Sequence, residues 1–151
     1  MDAEVCEAVS ACARSTREEI AEAMKYLTAE EVLVIHSELI DQTGGLHGVR
    51  DVGLLISAAQ RPKTGFSGRE LYKGVFEKAA AYFESFAKYH VFLDGNKRTA
   101  LAASARFLFL NGYELTASNV AVEKFTLRVV VRRLNIKIIA AWLTRHARKN
   151  R

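Results

Sequence analysis

Along most of this 151-residue chain the apolar residues return every three or four positions and almost nowhere alternate, which is the spacing of helices rather than strands. Val32, Leu33, Ile35 and Leu39 form such a stripe behind Thr28-Ala29-Glu30-Glu31, a capping box in which side chains at both ends satisfy open backbone amides. The helix this predicts ends before Gly44-Gly45. Asp51 caps a shorter one through about Gln60. Val75, Ala79, Tyr82, Phe83 and Phe86 predict a largely buried helix from about Glu70 to Tyr89, and a second follows from Arg98 to Leu110, closed by Asn111-Gly112. Two more, roughly Ser118 to Arg132 and Asn135 to Arg148, end the series, and Trp142 falls among Ile138, Ile139 and Leu143 as core. Upstream, Asp2 is placed to cap an amphipathic helix from about Ala3 to Glu22. The expected fold is all-α. One segment breaks the pattern: Arg61 to Glu70, "RPKTGFSGRE", has the Pro and Gly of an exposed loop or short hairpin, a kind of segment that often carries function.

With 50% apolar residues, a chain of this length can bury one core without disulfides or structural metal. Cys6 and Cys12 are the only cysteines, and six residues apart on a helix they face different ways, so they are expected as reduced thiols of a cytoplasmic protein. No basic-then-apolar leader and no apolar run of eighteen residues is present, so no membrane partner is expected. The net charge of +5 is unevenly spread: residues 1–23 hold two Arg against six acids, and residues 124–151 hold nine Lys or Arg and no acid. Lys124, Arg128 and Arg132, four apart, put a basic stripe on one helix face. Without a recognised DNA-binding motif, that stripe reads as a solvated face or a surface for an acidic protein, and direct nucleic-acid binding is not expected.

The chemistry gathers between the two buried helices, in "YHVFLDGNKRTALAA", Tyr89 to Ala103. Asp94-Gly95-Asn96-Lys97-Arg98 opens onto a helix N-terminus, where unsatisfied N–H groups and the positive end of the helix dipole favour an anion. Gly95 permits the turn, Lys97 and Arg98 add cationic donors, and Asp94 is a hard oxygen ligand suited to Mg²⁺ arriving with phosphates. His90 is the nearby side chain able to take a proton near neutral pH. Phe92, between the polar positions, anchors the loop in the core. A helix C-terminus favours imidazolium, whereas a base must be neutral, so His90 needs an environment that sequence does not specify. Singly these residues have ordinary readings as a helix-end histidine, a turn and a solvated cation pair; seven specified positions in one helix-loop-helix do not.

"HVFLDGNKR", His90 to Arg98, resembles the Fic/Doc signature, H-x-F-x-(D/E)-G-N-(G/K)-R, and "GGLHGVRD" and "NKRTALAASARFLFLNGYEL" resemble the Doc toxin branch. The resemblance runs from about Met24 to Ala147 and implies a Fic/Doc-like helical bundle with its active-site loop between two central helices. It implies His90 as the catalytic base, Asp94 as the Mg²⁺ ligand, and Gly95, Asn96 and Arg98, with Lys97, around the nucleotide phosphates. Lys97 stands where adenylyl-transferring Fic enzymes have a second glycine, and Leu101 where they have a second arginine; both departures are similar to Doc. The implied activity is ATP- and Mg²⁺-dependent transfer of a γ-phosphate to a Ser/Thr hydroxyl, with elongation factor Tu as substrate and growth arrest as the result. Adenylylation and a catalytically weak partner-binding module are the alternatives. Lys63, Thr64, Gly65 and Phe66 match the target-aligning flap. The resemblance also implies a cognate antitoxin bound through a helix in a groove. Residues 1–23 lie outside it, either as a regulatory helix filling that groove in cis or as a segment foreign to the 24–151 domain. Ser15 to Glu19 is similar to the S-x-x-x-E core of Fic inhibitory helices, but the arginine such a glutamate pairs with is Leu101 here.

Overall fold

The structure is a computed structural model that describes residues 23–150. The expected helix over residues 3–22 lies outside the described residues. Among them the order is α1 (Ala29–Thr43), α2 (Val52–Gln60), a 3₁₀ turn (Arg61–Lys63), β1 (Gly65–Phe66), β2 (Arg69–Glu70), α3 (Gly74–Lys88), α4 (Asn96–Leu110), β3 (Tyr113–Leu115), α5 (Asn119–Arg132), α6 (Ile136–Arg145) and β4 (Ala147–Lys149). The all-α expectation holds, since the strands form only two short antiparallel ribbons, β1 with β2 and β3 with β4.

Local chemistry sets most helix starts. Thr28, Asp51, Ser118 and Asn135 each accept a hydrogen bond from the backbone N–H three residues on, at 3.0 to 3.2 Å. Three expected boundaries are corrected. The buried helix begins at Gly74, not Glu70, because Glu70 pairs with Gly65 in the β1–β2 hairpin. The next begins at Asn96, not Arg98, because Gly95 takes the left-handed conformation (φ 76°) and frees Asn96 to be helical. The last ends at Arg145, not Arg148, because residues 147–149 leave it to pair with 113–115.

Helix α3 is the axis of the bundle, buried from Lys78 through Ala87 and packed chiefly on α4 and α6. Small residues suit the close approach: Ala79 and Ala80 of α3 and Ala100 and Ala103 of α4 belong to one buried cluster, and the Ser104 hydroxyl donates to the Ala79 carbonyl at 3.1 Å. Tyr82 is buried against Leu27, whose N–H donates to its hydroxyl at 3.0 Å; burial pushes the phenol up to about 12. Trp142 is core as expected, stacked on Phe125 with ring centres 4.2 Å apart. With α3 and α4 so fixed, the seven residues between them have little freedom in where they place their side chains.

Candidate active site

The connection from α3 to α4 is held from three sides. Phe92 is 1% exposed and lies flat on His36 of α1, ring centres 3.8 Å apart and 5° from parallel. The Asn96 amide brackets the Phe92 backbone, accepting from its N–H at 2.9 Å and donating to its carbonyl at 3.0 Å. His36, itself buried, reaches the Asp94 carbonyl with Nε2 at 2.8 Å. Gly95 completes the turn; a Cβ there would come within 2.9 Å of Ile40 and would need the left-handed φ as well. Phe92 is thus buried, stacked and bracketed at the middle of the loop.

This leaves the N-terminus of α4 open. It is the described helix of the site whose N-cap, Gly95, contributes no side-chain hydrogen bond, and the Asn96, Lys97 and Arg98 N–H groups have no acceptor among the described residues. Three amides at the positive end of a fifteen-residue helix make an anion cradle. Asp94 stands beside it. The Leu46 N–H (3.2 Å to Oδ2) and the Gly95 N–H (2.8 Å to Oδ1) hold its carboxyl below the usual carboxylate range, with Arg98 at 3.8 Å a lesser cause. Gly45 makes room for this carboxylate, since a Cβ there would meet Oδ2 at 2.5 Å. Two amides occupy only part of a carboxylate's accepting capacity, and the side chain is 45% exposed, so Asp94 retains lone pairs for a cation. No cluster of three or more potential metal-ligating side chains occurs among the described residues. The donor set therefore fits Mg²⁺, which needs one or two carboxylates with phosphates and water for the rest, and does not suit a metal caged by protein alone.

The sign of the Asp94 shift gives a prediction. A carboxyl depressed in the folded state adds stability above its ordinary range, and that contribution is lost as pH falls through the folded value. Asp94→Asn should lower the melting temperature at neutral pH, and the gap to wild type should close in acid. A gap constant from pH 7 down through that range would show that the charge is not what the two amides stabilise.

One cavity of about 740 Å³ joins these groups, lined by His90, Asp94, Gly95, Asn96, Lys97 and Arg98 on one side. Its volume is in the range of small-molecule sites. Each expected polar residue borders it, with two qualifications. The Asn96 side chain is spent on Phe92, so its contribution to the cavity is its N–H. Arg98 is tied by Nη1 to the Thr43 hydroxyl and, at 3.0 Å, to the Gly44 carbonyl, which orients its guanidinium rather than leaving it free. Lys97 has no ion pair among the described residues. Lys63, Thr64, Gly65 and Phe66 do not line the cavity: Gly65 and Phe66 form β1, with Phe66 85% exposed, and the Lys63 ammonium lies 5.0 Å from the centre of the Tyr26 ring.

Sequence reasoning missed the α5 wall. Asn119, Val122, Glu123, Thr126, Leu127 and Val130 of α5 line the same cavity as the loop, together with Leu101 of α4. The available signal was a helix face, spaced 3, 1, 3, 1, 3, that mixes Asn, Glu and Thr with aliphatic residues. It also missed His36 and Gly45, whose roles depend on a fold that brings α1 against a loop 58 residues away.

Comparison with known proteins places the chain among its relatives. The chain is 44% identical over 93 residues to "Toxin Doc" of Mycolicibacterium smegmatis, covering 62% of this chain and 69% of that one. It is 34% identical over 92 residues to "Protein kinase doc" of Escherichia phage P1, covering 61% and 72%. Residues 26–108, more than half of the chain and from before α1 to near the end of α4, match the Fic/DOC family, and the chain belongs to that family.

Proposed function

We propose that this protein is a Doc-like toxin: a protein kinase that uses Mg²⁺-ATP to phosphorylate a Ser/Thr hydroxyl of a translation factor, with elongation factor Tu as the favoured substrate, and so arrests translation. The observation that carries the reading is the union, around one cavity, of an uncapped helix N-terminus, a carboxyl held ionised beside it, and an imidazole at its edge. In this scheme the α4 amides, Lys97 and Arg98 bind and orient the phosphates, and His90 takes the proton of the target hydroxyl. The hydroxyl oxygen bonds to the γ-phosphorus, the bond to the β–γ bridging oxygen breaks, ADP leaves, and the proton passes from His90 to solvent. Asp94 would hold Mg²⁺, which when bound would supply charge neutralisation for the phosphates. The α5 wall gives the nucleoside an apolar surface with Asn119, Glu123 and Thr126 as polar contacts.

Two departures from the adenylyl-transferring Fic pattern favour γ-phosphate transfer: Lys97 in place of its second glycine, and Leu101, which lines the cavity, in place of its second arginine. The relatives' names, a toxin and a protein kinase, agree. A cognate antitoxin and a cytoplasmic setting belong to the same reading, as does a flap at residues 63–66 that aligns the target. No helix of the described residues is long and apolar enough to cross a membrane. Residues 1–23 lie outside the 24–151 domain, either as a regulatory segment or as one foreign to it, and deleting them decides between the two: unchanged activity and stability would leave no regulatory role for the segment.

The test incubates the protein, Mg²⁺ and purified elongation factor Tu or a bacterial lysate with ATP labelled at the γ- or the α-phosphate. His90-dependent label from the γ-position alone is the expected result. Label from the α-position would mean adenylylation, and label from neither would leave a partner-binding module.

A further inference from the structure

His90 has a backbone that needs explaining. It lies just past the end of α3 with φ 49°, a left-handed conformation disfavoured for a residue that has a Cβ. Two other non-glycine residues among those described share it, Ser67 in the β1–β2 turn and Arg133 at the end of α5, where turns and helix ends commonly ask for it. Neither borders the cavity; His90 does. A strained residue at a site persists only when its surroundings hold it there.

The holder is Arg50, on the loop between α1 and α2. Its Nε donates to the His90 carbonyl at 2.6 Å and its Nη2 to the Tyr89 carbonyl at 3.2 Å. The backbone continues the grip: the Arg50 and Asp51 N–H groups both donate to the Val91 carbonyl, at 2.8 and 3.2 Å. Three consecutive carbonyls, those of Tyr89, His90 and Val91, thus receive four donors from two adjacent residues. The carbonyls at the end of α3 have no helical partner and carry the negative end of the dipole, so a cation with a planar fork suits them. Arg50 does not line the cavity and has no direct access to a substrate there.

We infer that Arg50 is a positioning residue: by clamping the Tyr89 and His90 carbonyls it fixes His90 in the left-handed conformation that presents its imidazole to the cavity. The inference rests on the reading of His90 as the base, and it deepens that reading by assigning the group that sets its orientation. Lysine could replace only part of this function, because an ammonium lacks the fork that meets two carbonyls at fixed spacing. Asp51 is held by the same turn as the N-cap of α2, so the Arg50-Asp51 pair ties the start of one helix to the end of another.

The test uses the full chain with Arg50→Gln, Arg50→Lys and His90→Ala, and two readouts. Steady-state transfer from γ-labelled ATP should show kcat reduced about 10- to 100-fold in Arg50→Gln, as expected for a misplaced catalytic group, with KM for ATP little changed. Arg50→Lys should recover part of the loss. Independently of activity, the His90 Cα and Cβ chemical shifts, which report backbone conformation, should be left-handed in wild type and move towards extended values in Arg50→Gln. Should Arg50→Gln fail to fold, Arg50→Lys carries both readouts. A wild-type kcat in the variant, or His90 shifts that do not move, would overturn the inference. If the wild-type chain transfers no phosphate, the kinase reading fails, and the His90 shifts alone decide the role of Arg50.

Discussion

Replacing His90 with alanine should abolish transfer while leaving the fold as stable as before. A positioned general base contributes on the order of 10² to 10⁴ in rate, and His90 is the one imidazole bordering the cavity among the described residues. Its side chain is exposed and makes no hydrogen bond among those residues, so truncation removes little that folding depends on. Exposed substitutions of this kind usually stay within about 0.5 kcal/mol. ATP binding should also persist, because the amides of Asn96, Lys97 and Arg98 that would receive the phosphates belong to a different helix. The decisive comparison sets kcat against melting temperature and nucleotide affinity in one preparation. A variant that keeps more than about a tenth of wild-type kcat would remove His90 from the role of base, given the magnitude such a base supplies.

How much of this was readable beforehand follows from the range of the interactions involved. His90, Asp94, Gly95 and the α4 N-terminus are local: nine consecutive residues specify the turn, the open amides and the ionisable groups, and the structure assembles them around one cavity. The caps at Thr28, Asp51 and Asn135 are local too, each set by a side chain and an amide three residues away. Part of what failed was non-local. The Arg148 boundary moved because that residue pairs with Glu114, far back in the sequence, whereas Glu70 closes a local hairpin with Gly65; two- or three-residue strands leave no periodicity to read in either case. Sequence does not show that the Asn96 side-chain amide brackets the Phe92 backbone, so that the residue meets the cavity through its N–H. His36 interrupts an apolar stripe without announcing a purpose; its purpose is the Asp94 carbonyl, reachable once α1 packs beside α4.

Phe92→Ala should be the most damaging single substitution to the fold among the residues around the loop. The ring is 1% exposed, is stacked on His36 and lies 6.3 Å from the Phe86 ring, so its removal leaves a cavity between α1, α3 and α4. Phenylalanine-to-alanine changes in cores cost about 3 to 5 kcal/mol, which for a chain of this size lowers the melting temperature by roughly 10 °C. Phe66→Ala is the matched control: the same side chain is lost, but at 85% exposure almost no burial is lost with it. The difference between the two melts isolates burial from residue type. The damage should also reach the chemistry before the chain unfolds. His36 loses the surface that fixes its ring, and the Asp94 carbonyl it contacts sits one residue before the turn that opens α4. Activity measured well below the variant's melting temperature should therefore already be lower than wild type. Full activity in a Phe92→Ala protein that is folded at the assay temperature would show that the loop holds its geometry without its anchor, and a loss below about 1 kcal/mol would show that the site collapses to refill the space.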